Sequence, residues 1–220
     1  REAVMWSRLN HPNVLPFLGV YFWRPNPSSD LERVSLLSPW MERGNVLEFL
    51  ERYPSADKTS LVRLTLPNGL HHLHSLNPPV VHGDLKGNNI LVTSAGTACL
   101  ADFGLSKLVV DSAGQNSPVS HSCLGGNELF CAPEILGESS ALQVEPTASS
   151  DVYSFGCVGY QIFTGRPRFA HITAIWPRLH AAKKNRPIPQ PTNMPSMLWK
   201  FTQECWAPGS GSRPCTADLI

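Results

Sequence analysis

Charge is scarce in this chain: only 16% of its 220 residues are Asp, Glu, Lys or Arg, and 18 basic against 17 acidic residues leave a formal net charge of +1. So even a balance offers no basic face for nucleic acid and no acidic tail, and no run of like charges stands anywhere, so electrostatic partners are not indicated. Long apolar runs are missing too. The longest, Val20 to Trp23 with its neighbours from Leu15 to Leu18, fall far short of the roughly 20 residues that cross a bilayer, and no membrane span is expected. The six cysteines include no CxxC pair. A domain of this size has no need of a disulfide framework, and a reduced, cytoplasmic setting is the simpler reading. Residue 1 is Arg, with no basic-then-apolar leader behind it, so the sequence shows neither a native start nor a signal peptide and is expected to be cut at its front.

What is present is aliphatic and prolyl. An apolar fraction of 42% over 220 residues describes one globular domain with a real core. The 20 prolines are nearly twice the usual share of about 5%, but they are scattered without period, so they punctuate a fold and do not mark disorder. His71, His72 and His74 lack a Cys or carboxylate at ligand spacing, and they are expected to serve helix surface and helix packing, not a metal.

The opening REAVMWSRLN spaces Val4, Met5 and Leu9 near helical period and stops at His11-Pro12, which predicts a short helix. VLPFLGVYFW, the turn cluster RPNPSSD and LERVSLLSP predict two strands joined by a loop. After Pro39 the pattern turns helical, in GNVLEFLERY and SLVRLTLPNGLHHLHSL. NILV (89–92) and TACLA (97–101) form a predicted hairpin around residues 94–96. From Leu105 to Cys131 the chain has little periodicity, and loops of that length in a compact domain are usually functional. SSDVYSFGCVGYQIFTG is apolar almost all round, the mark of a helix buried at a domain centre, and MLWKFTQECW is amphipathic. The predicted class is α+β, a small piece of sheet followed by a helical body.

Three short stretches carry chemistry. In HGDLKGNNILV (82–92), Asp84 is followed by Lys86 two residues on and by Asn89 five residues on, just before a strand. An acid to orient a hydroxyl, a cation for phosphate oxygens and an amide oxygen for Mg²⁺ suit a phosphoryl-transfer loop. Asp102-Phe103-Gly104 follows the strand TACLA, where a carboxylate reaches the same Mg²⁺ and Gly104 lets the chain turn sharply. Ala132-Pro133-Glu134 closes the long loop. Each alone has a plain explanation, since an Asp after a strand is commonly a turn former; their order is what is specific.

In that order these residues resemble the catalytic loop, the Mg²⁺-binding motif and the APE motif of eukaryotic protein kinases. Further similar stretches are HPNVLPFLGV, SPWMERGNVLEFL, SDVYSFGCVGYQIFTGRP, and Cys205-Trp206 followed seven residues after Trp206 by Arg213-Pro214, so the likeness covers almost the whole chain. The pattern is most similar to the tyrosine-kinase-like group, with a flavour of the expanded kinase sets of mushroom-forming fungi. The resemblance implies a protein-kinase-like fold with 1–38 as a partial front lobe, 39–41 as the hinge and 42–220 as the helical lobe. It implies ATP and Mg²⁺ as cofactors and a protein substrate. Asp84 would accept the substrate hydroxyl proton, Lys86 would steady the γ-phosphate, and Asn89 and Asp102 would hold Mg²⁺. Pro39 through its carbonyl and Met41 through its amide would meet adenine, with Leu91 as the floor beneath it. Glu2 occupies the place of the αC glutamate. Trp6, His82 and Phe103 would form an apolar column between the lobes, although plain core packing explains Trp6 as well. Glu134 with Arg213 would make a buried ion pair and Asp151 an anchor on the central helix.

The departures matter as much. No glycine-rich loop and no strand lysine precede Glu2, so these 220 residues alone are expected to bind ATP weakly and turn over little or nothing. Gly83 replaces the usual arginine, which puts activation by loop phosphorylation in doubt. Residues 105–131 contain Ser106, Ser112, Ser117, Ser120 and Ser122 but no Thr or Tyr, and Asn127 stands where a threonine is usual. Lys86 favours Ser/Thr over Tyr as substrate. Pro67 lies inside a predicted helix 60–76, where it should kink or distort the first half at a cost of about 3 kcal/mol. Gln161 and Ser210 are read as surface or loop variation. Two other readings stand beside the enzyme: a pseudokinase-like docking module, and a small-molecule phosphotransferase of the aminoglycoside-kinase kind, which usually lacks the DFG, APE and DVYSFG features present here. The sequence upstream of Arg1 would separate the first from the enzyme. Substrate and oligomeric state are not legible.

Overall fold

The computed structural model describes residues 2–24, 33–108, 128–136 and 144–220. Ser112, Ser117, Ser120, Ser122 and Asn127, singled out above, lie outside the described residues.

The front of the chain forms helix α1 (Glu2–Trp6) and an antiparallel ribbon of β1 (Gly19–Trp23) and β2 (Arg33–Leu37), in register from Gly19 opposite Leu37 to Trp23 opposite Arg33. Tyr21, Phe22 and Val34 on this ribbon are exposed. Helix α2 (Val46–Arg52) starts because Asn45 caps the N–H groups of Leu47 and Glu48 while Glu48 reaches back to the Asn45 N–H, and Val46, Phe49 and Leu50 then bury one face.

The predicted long helix resolves into three pieces: a turn α3 (Lys58–Ser60), a π-helical stretch Leu61–Thr65, and α4 (Leu66–Ser75). The distortion expected from Pro67 is there and has a definite form. The Leu66 N–H bonds to the Leu61 carbonyl, five residues back, so the added residue in the turn places Pro67 in the first turn of α4, where a missing N–H goes unused. Gly69 on α4 lies under the incoming loop; a Cβ there would stand 2.7 Å from the Asn13 carbonyl oxygen.

Beyond α4 come β3 (Val80–Val81), a 3₁₀ turn Gly87–Asn89, and the hairpin β4 (Ile90–Val92) and β5 (Ala98–Leu100), followed by a 3₁₀ turn Phe103–Leu105 and β6 (Lys107–Leu108), which pairs with β3. Val14 bridges to Leu100 and Asn45 to Leu91, so the hairpin joins the front loop to α2. Helix α5 (Ala148–Thr164) runs through the centre with Asp151 to Gly159 buried without a break, as its apolar sequence predicts. Helices α6 (Ile175–Lys183) and α7 (Ser196–Cys205) complete the body. One core joins α1, α2, α4, the β4–β5 hairpin, α5 and α7, while Phe169, Ala181 and Ala182 make a small separate cluster under α6.

Two expectations are corrected. Gln161 is not on the surface: it is buried, and its Oε1 lies 2.7 Å from where a Cβ on Gly87 would sit. A helix apolar all round has no outer face to place it on. Ser210 does lie in an exposed turn, where its carbonyl accepts the Ser149 hydroxyl. Cys99, Cys157, Cys205 and Cys215 are free thiols, but Cys131 is disulfide-bonded, which the reduced reading of all six cysteines did not anticipate.

Candidate active site

The loop 82–89 is held from beneath by a single buried carboxylate. Asp151, in the first turn of α5, accepts the His82 N–H at 2.8 Å and the Gly83 N–H at 2.9 Å, and its Oδ2 lies 2.9 Å from His74 Nε2. Gly83 takes φ of 78°, in the left-handed region where glycine has no steric cost. His82 is fully buried; its Nε2 faces the Ala101 carbonyl at 3.1 Å and its Nδ1 accepts the Asp84 N–H at 3.3 Å. Those partners fix a neutral imidazole with the proton on Nε2, and burial pushes its pKa below the ordinary histidine value despite the nearby carboxylates.

Above this base the three polar residues of the motif meet. Lys86 Nζ donates to Asp84 Oδ2 at 2.8 Å, and Asn89 Nδ2 donates to the same oxygen at 2.9 Å and to the Asp84 carbonyl at 2.9 Å. With its Nδ2 committed to Asp84, the Asn89 amide turns its oxygen to the opposite side. The Ala101 N–H bonds to the Asn89 carbonyl at 2.9 Å, so Asp102, the next residue, is carried to the same loop by backbone pairing. Asp102 adopts φ 65°, ψ 72°, and the residue is exposed. Oxygen-only donors of this kind, an amide and a carboxylate, fit Mg²⁺, which takes one or two protein oxygens and fills the rest with water and phosphate.

Glu2 comes close to the same motif: a Cβ on Gly104 would stand 3.5 Å from Asp102 Oδ1 and 3.6 Å from Glu2 Oε2. Partial burial, with the Asp102 charge second, holds the Glu2 carboxyl above its ordinary value. The aromatic column is present as packing. Ring centroids step from His82 to Phe103 at 5.4 Å, from Phe103 to Trp6 at 5.8 Å and from Trp6 to Phe17 at 5.3 Å. Pro39 and Met41 are half-buried; Met41 and Leu91 each pack on the large core, and the Val92 N–H bonds to the Gly44 carbonyl at 2.9 Å, tying Gly44 to β4. Some 79 residues apart, Glu134 and Arg213 form a two-pronged ion pair at 2.6 and 2.8 Å, with the guanidinium also donating to the Ser149 and Ala207 carbonyls.

Sequence reasoning missed two participants at this loop, and one buried cation away from it. His74, assigned to packing, is bonded to Asp151; its four-residue spacing from Leu70 pointed to the buried face. Ser106 is buried and donates its hydroxyl to the His82 carbonyl at 3.0 Å. Arg168 is fully buried with no carboxylate partner among the described residues; it donates to the Tyr153 hydroxyl at 3.1 Å and the Asn185 amide at 2.8 Å, and lies 3.8 Å over the Trp206 ring. No local pattern announces it.

Among curated proteins, the chain is similar to the serine/threonine-protein kinase CTR1 of Arabidopsis thaliana, 26% identical over all of the chain and 25% of that protein. It is similar also to the dual specificity protein kinase shkA of Dictyostelium discoideum, 31% identical over all of the chain and 40% of that protein. A third relative, mitogen-activated protein kinase kinase kinase 3 of Arabidopsis thaliana, is 29% identical over 93% of the chain and 29% of its own length. The chain thus spans less than half the length of these relatives. Among the described residues no helix is long and apolar enough to cross a membrane. The family model for protein tyrosine and serine/threonine kinases matches residues 1–220, and the chain belongs to that family.

Proposed function

We propose that the polypeptide carrying this chain transfers the γ-phosphoryl group of ATP to Ser or Thr hydroxyls of protein substrates, with Mg²⁺ and in the cytoplasm. The observation that carries this reading is the convergence of Lys86 Nζ and Asn89 Nδ2 on one carboxylate oxygen of Asp84, at 2.8 and 2.9 Å. Phosphoryl transfer asks little covalent chemistry of a protein and much positioning. Asp84 orients the substrate hydroxyl and accepts its proton; Lys86, two residues away and bonded to it, steadies the γ-phosphate oxygens. Asn89 and Asp102 would hold Mg²⁺, which would supply neutralisation of phosphate charge. Residues 39–41 act as the hinge between a front part, 1–38, and the helical body, 42–220. Pro39 and Met41 meet adenine over Leu91, and Glu2 orients the phosphate-binding side. Glu134–Arg213 and Asp151 hold the frame and touch no substrate.

Incubation of the polypeptide with radiolabelled ATP and a generic protein substrate tests this. Incorporation into Ser and Thr that falls by orders of magnitude in Asp84→Ala is expected; equal signal from both proteins would sink the assignment.

A further inference from the structure

The near-zero net charge hides a strong division. Residues 152–203 contain seven of the 18 Lys and Arg residues and none of the 17 Asp and Glu residues; the rest of the chain therefore has eleven basic against 17 acidic residues, a formal −6 beside a formal +7. Within that acid-free stretch Arg166, Lys184, Arg186 and Lys200 are exposed. Arg168, 2% exposed, donates to Asn185 between Lys184 and Arg186 and is neutralised by no carboxylate among the described residues, so it adds to the positive charge of the stretch.

Helix α6 concentrates this field on one face. Ala181 and Ala182 turn inward onto Phe169, and the opposite side presents Trp176 and His180, four residues apart and hence aligned, with Lys184 capping the helix and Arg186 just beyond it. Trp176 is 78% exposed. A tryptophan left in water is the kind of residue that anchors protein interfaces. The Arg178 side chain donates to the Ile172 carbonyl at 2.6 Å, which ties the helix start to the loop before it.

We infer that the outer face of α6, with Trp176, His180, Lys184 and Arg186, docks an acidic segment of a protein partner. Charge complementarity selects the occupant: a segment rich in Asp and Glu meets no acidic residue anywhere in 152–203. Single-stranded nucleic acid would need successive large aromatic platforms, and α6 exposes one indole, Trp176. A membrane-lying helix would need a broad apolar face, and Ala181 and Ala182 of α6 are packed against Phe169. Docking here is a binding function separate from phosphoryl transfer, and it holds or fails whatever the chemistry of Asp84.

Fluorescence anisotropy of a labelled Glu/Asp-rich peptide, against its Gln/Asn analogue, tests it on the chain with Asp84 intact and with Asp84→Ala. The acidic peptide should bind both proteins alike, and raising salt from about 0.05 M to about 0.5 M should weaken it severalfold. Lys184→Glu with Arg186→Glu should weaken it about tenfold or more, Trp176→Ala should weaken it at both salt concentrations, and the charge-reversed protein should gain affinity for a Lys-rich peptide. Surface exchanges of this kind leave folding intact, which an unchanged melting curve verifies. Equal binding of acidic and neutral peptides overturns the inference, as does no effect of the paired reversal. Displacement of the peptide by lower concentrations of an oligonucleotide or of phosphatidylserine vesicles, or sedimentation showing that the peptide competes with self-association, would assign the face to those partners instead.

Discussion

Replacing Asp151 with Asn removes one oxygen and one charge from a site that leaves no room for either loss. In the native protein Asp151 accepts two backbone N–H groups, from His82 at 2.8 Å and Gly83 at 2.9 Å, and meets His74 Nε2 at 2.9 Å, while only 1% of the residue is exposed. An amide can keep its oxygen on one of the two N–H groups; its NH₂ then faces the other, donor against donor. A hydrogen bond to a charged group contributes about 1.5–3 kcal/mol, and a buried N–H left without an acceptor costs about 1–3 kcal/mol, so Asp151→Asn should destabilise by about 2–4 kcal/mol. Asp151→Ala, which orphans both N–H groups and His74, should cost more. In a domain of this size about 1 kcal/mol moves the melting temperature by about 2–4 °C, so a fall of roughly 4–16 °C is expected by circular dichroism or calorimetry. The loss should also reach the chemistry, because the two bonded amides immediately precede Asp84, and residual phosphoryl transfer should fall at temperatures where the variant is still folded. His74→Gln, which leaves both backbone donors satisfied, should cost less than Asp151→Asn. A melting temperature for Asp151→Asn within about 1 °C of the parent would refute the reasoning, since it would mean that the loop holds its shape without this carboxylate.

Glu134→Gln removes the partner of a guanidinium whose side chain is 0% exposed; a broken buried pair costs about 3–5 kcal/mol, moderated here by the carbonyl acceptors that remain, and a denaturant midpoint shift with unchanged slope checks it. Pro67→Ala should change stability by less than about 1 kcal/mol, not the 3 kcal/mol of a mid-helix proline, because the π-helical turn has already moved Pro67 to the start of α4; equilibrium unfolding decides. The His11 and His72 rings stack at 4.8 Å and 18°, and both imidazoles lie below the ordinary histidine value, first through burial and second through a neighbouring imidazole. The unfolded chain therefore binds more protons, so their contribution is intact above about pH 6.5 and is lost as pH falls below it; His72→Phe should flatten that acid limb in unfolding curves measured across the range.

The parts of this fold that were legible in sequence are those that local chemistry dictates. The helical period of GNVLEFLERY places α2, the almost all-round apolar pattern of SSDVYSFGCVGYQIFTG marks a central helix, and the proline at 67 had to distort its helix. The site was legible as spacing: Asp84, Lys86 and Asn89 sit close enough in sequence for one loop to unite them. What was not legible depends on approach from far away. Asp151 reaches His82 across 69 residues and His74 across 77, and nothing near His74 marks it as that partner. Gln161 looked like surface because a polar residue usually is, yet it lies against Gly87. The separation of charge was hidden because net charge sums over the whole chain and discards position.

Calorimetric titration of the polypeptide with ATP, with Mg²⁺ and again with EDTA, bears on whether Asn89 and Asp102 form a metal-dependent nucleotide site. Binding that is strengthened by Mg²⁺ in the parent, and no longer responds to Mg²⁺ in Asn89→Ala with Asp102→Ala, is the expected result. Affinity that is the same with Mg²⁺ and with EDTA in the parent, or an undiminished Mg²⁺ response in the double variant, would contradict it.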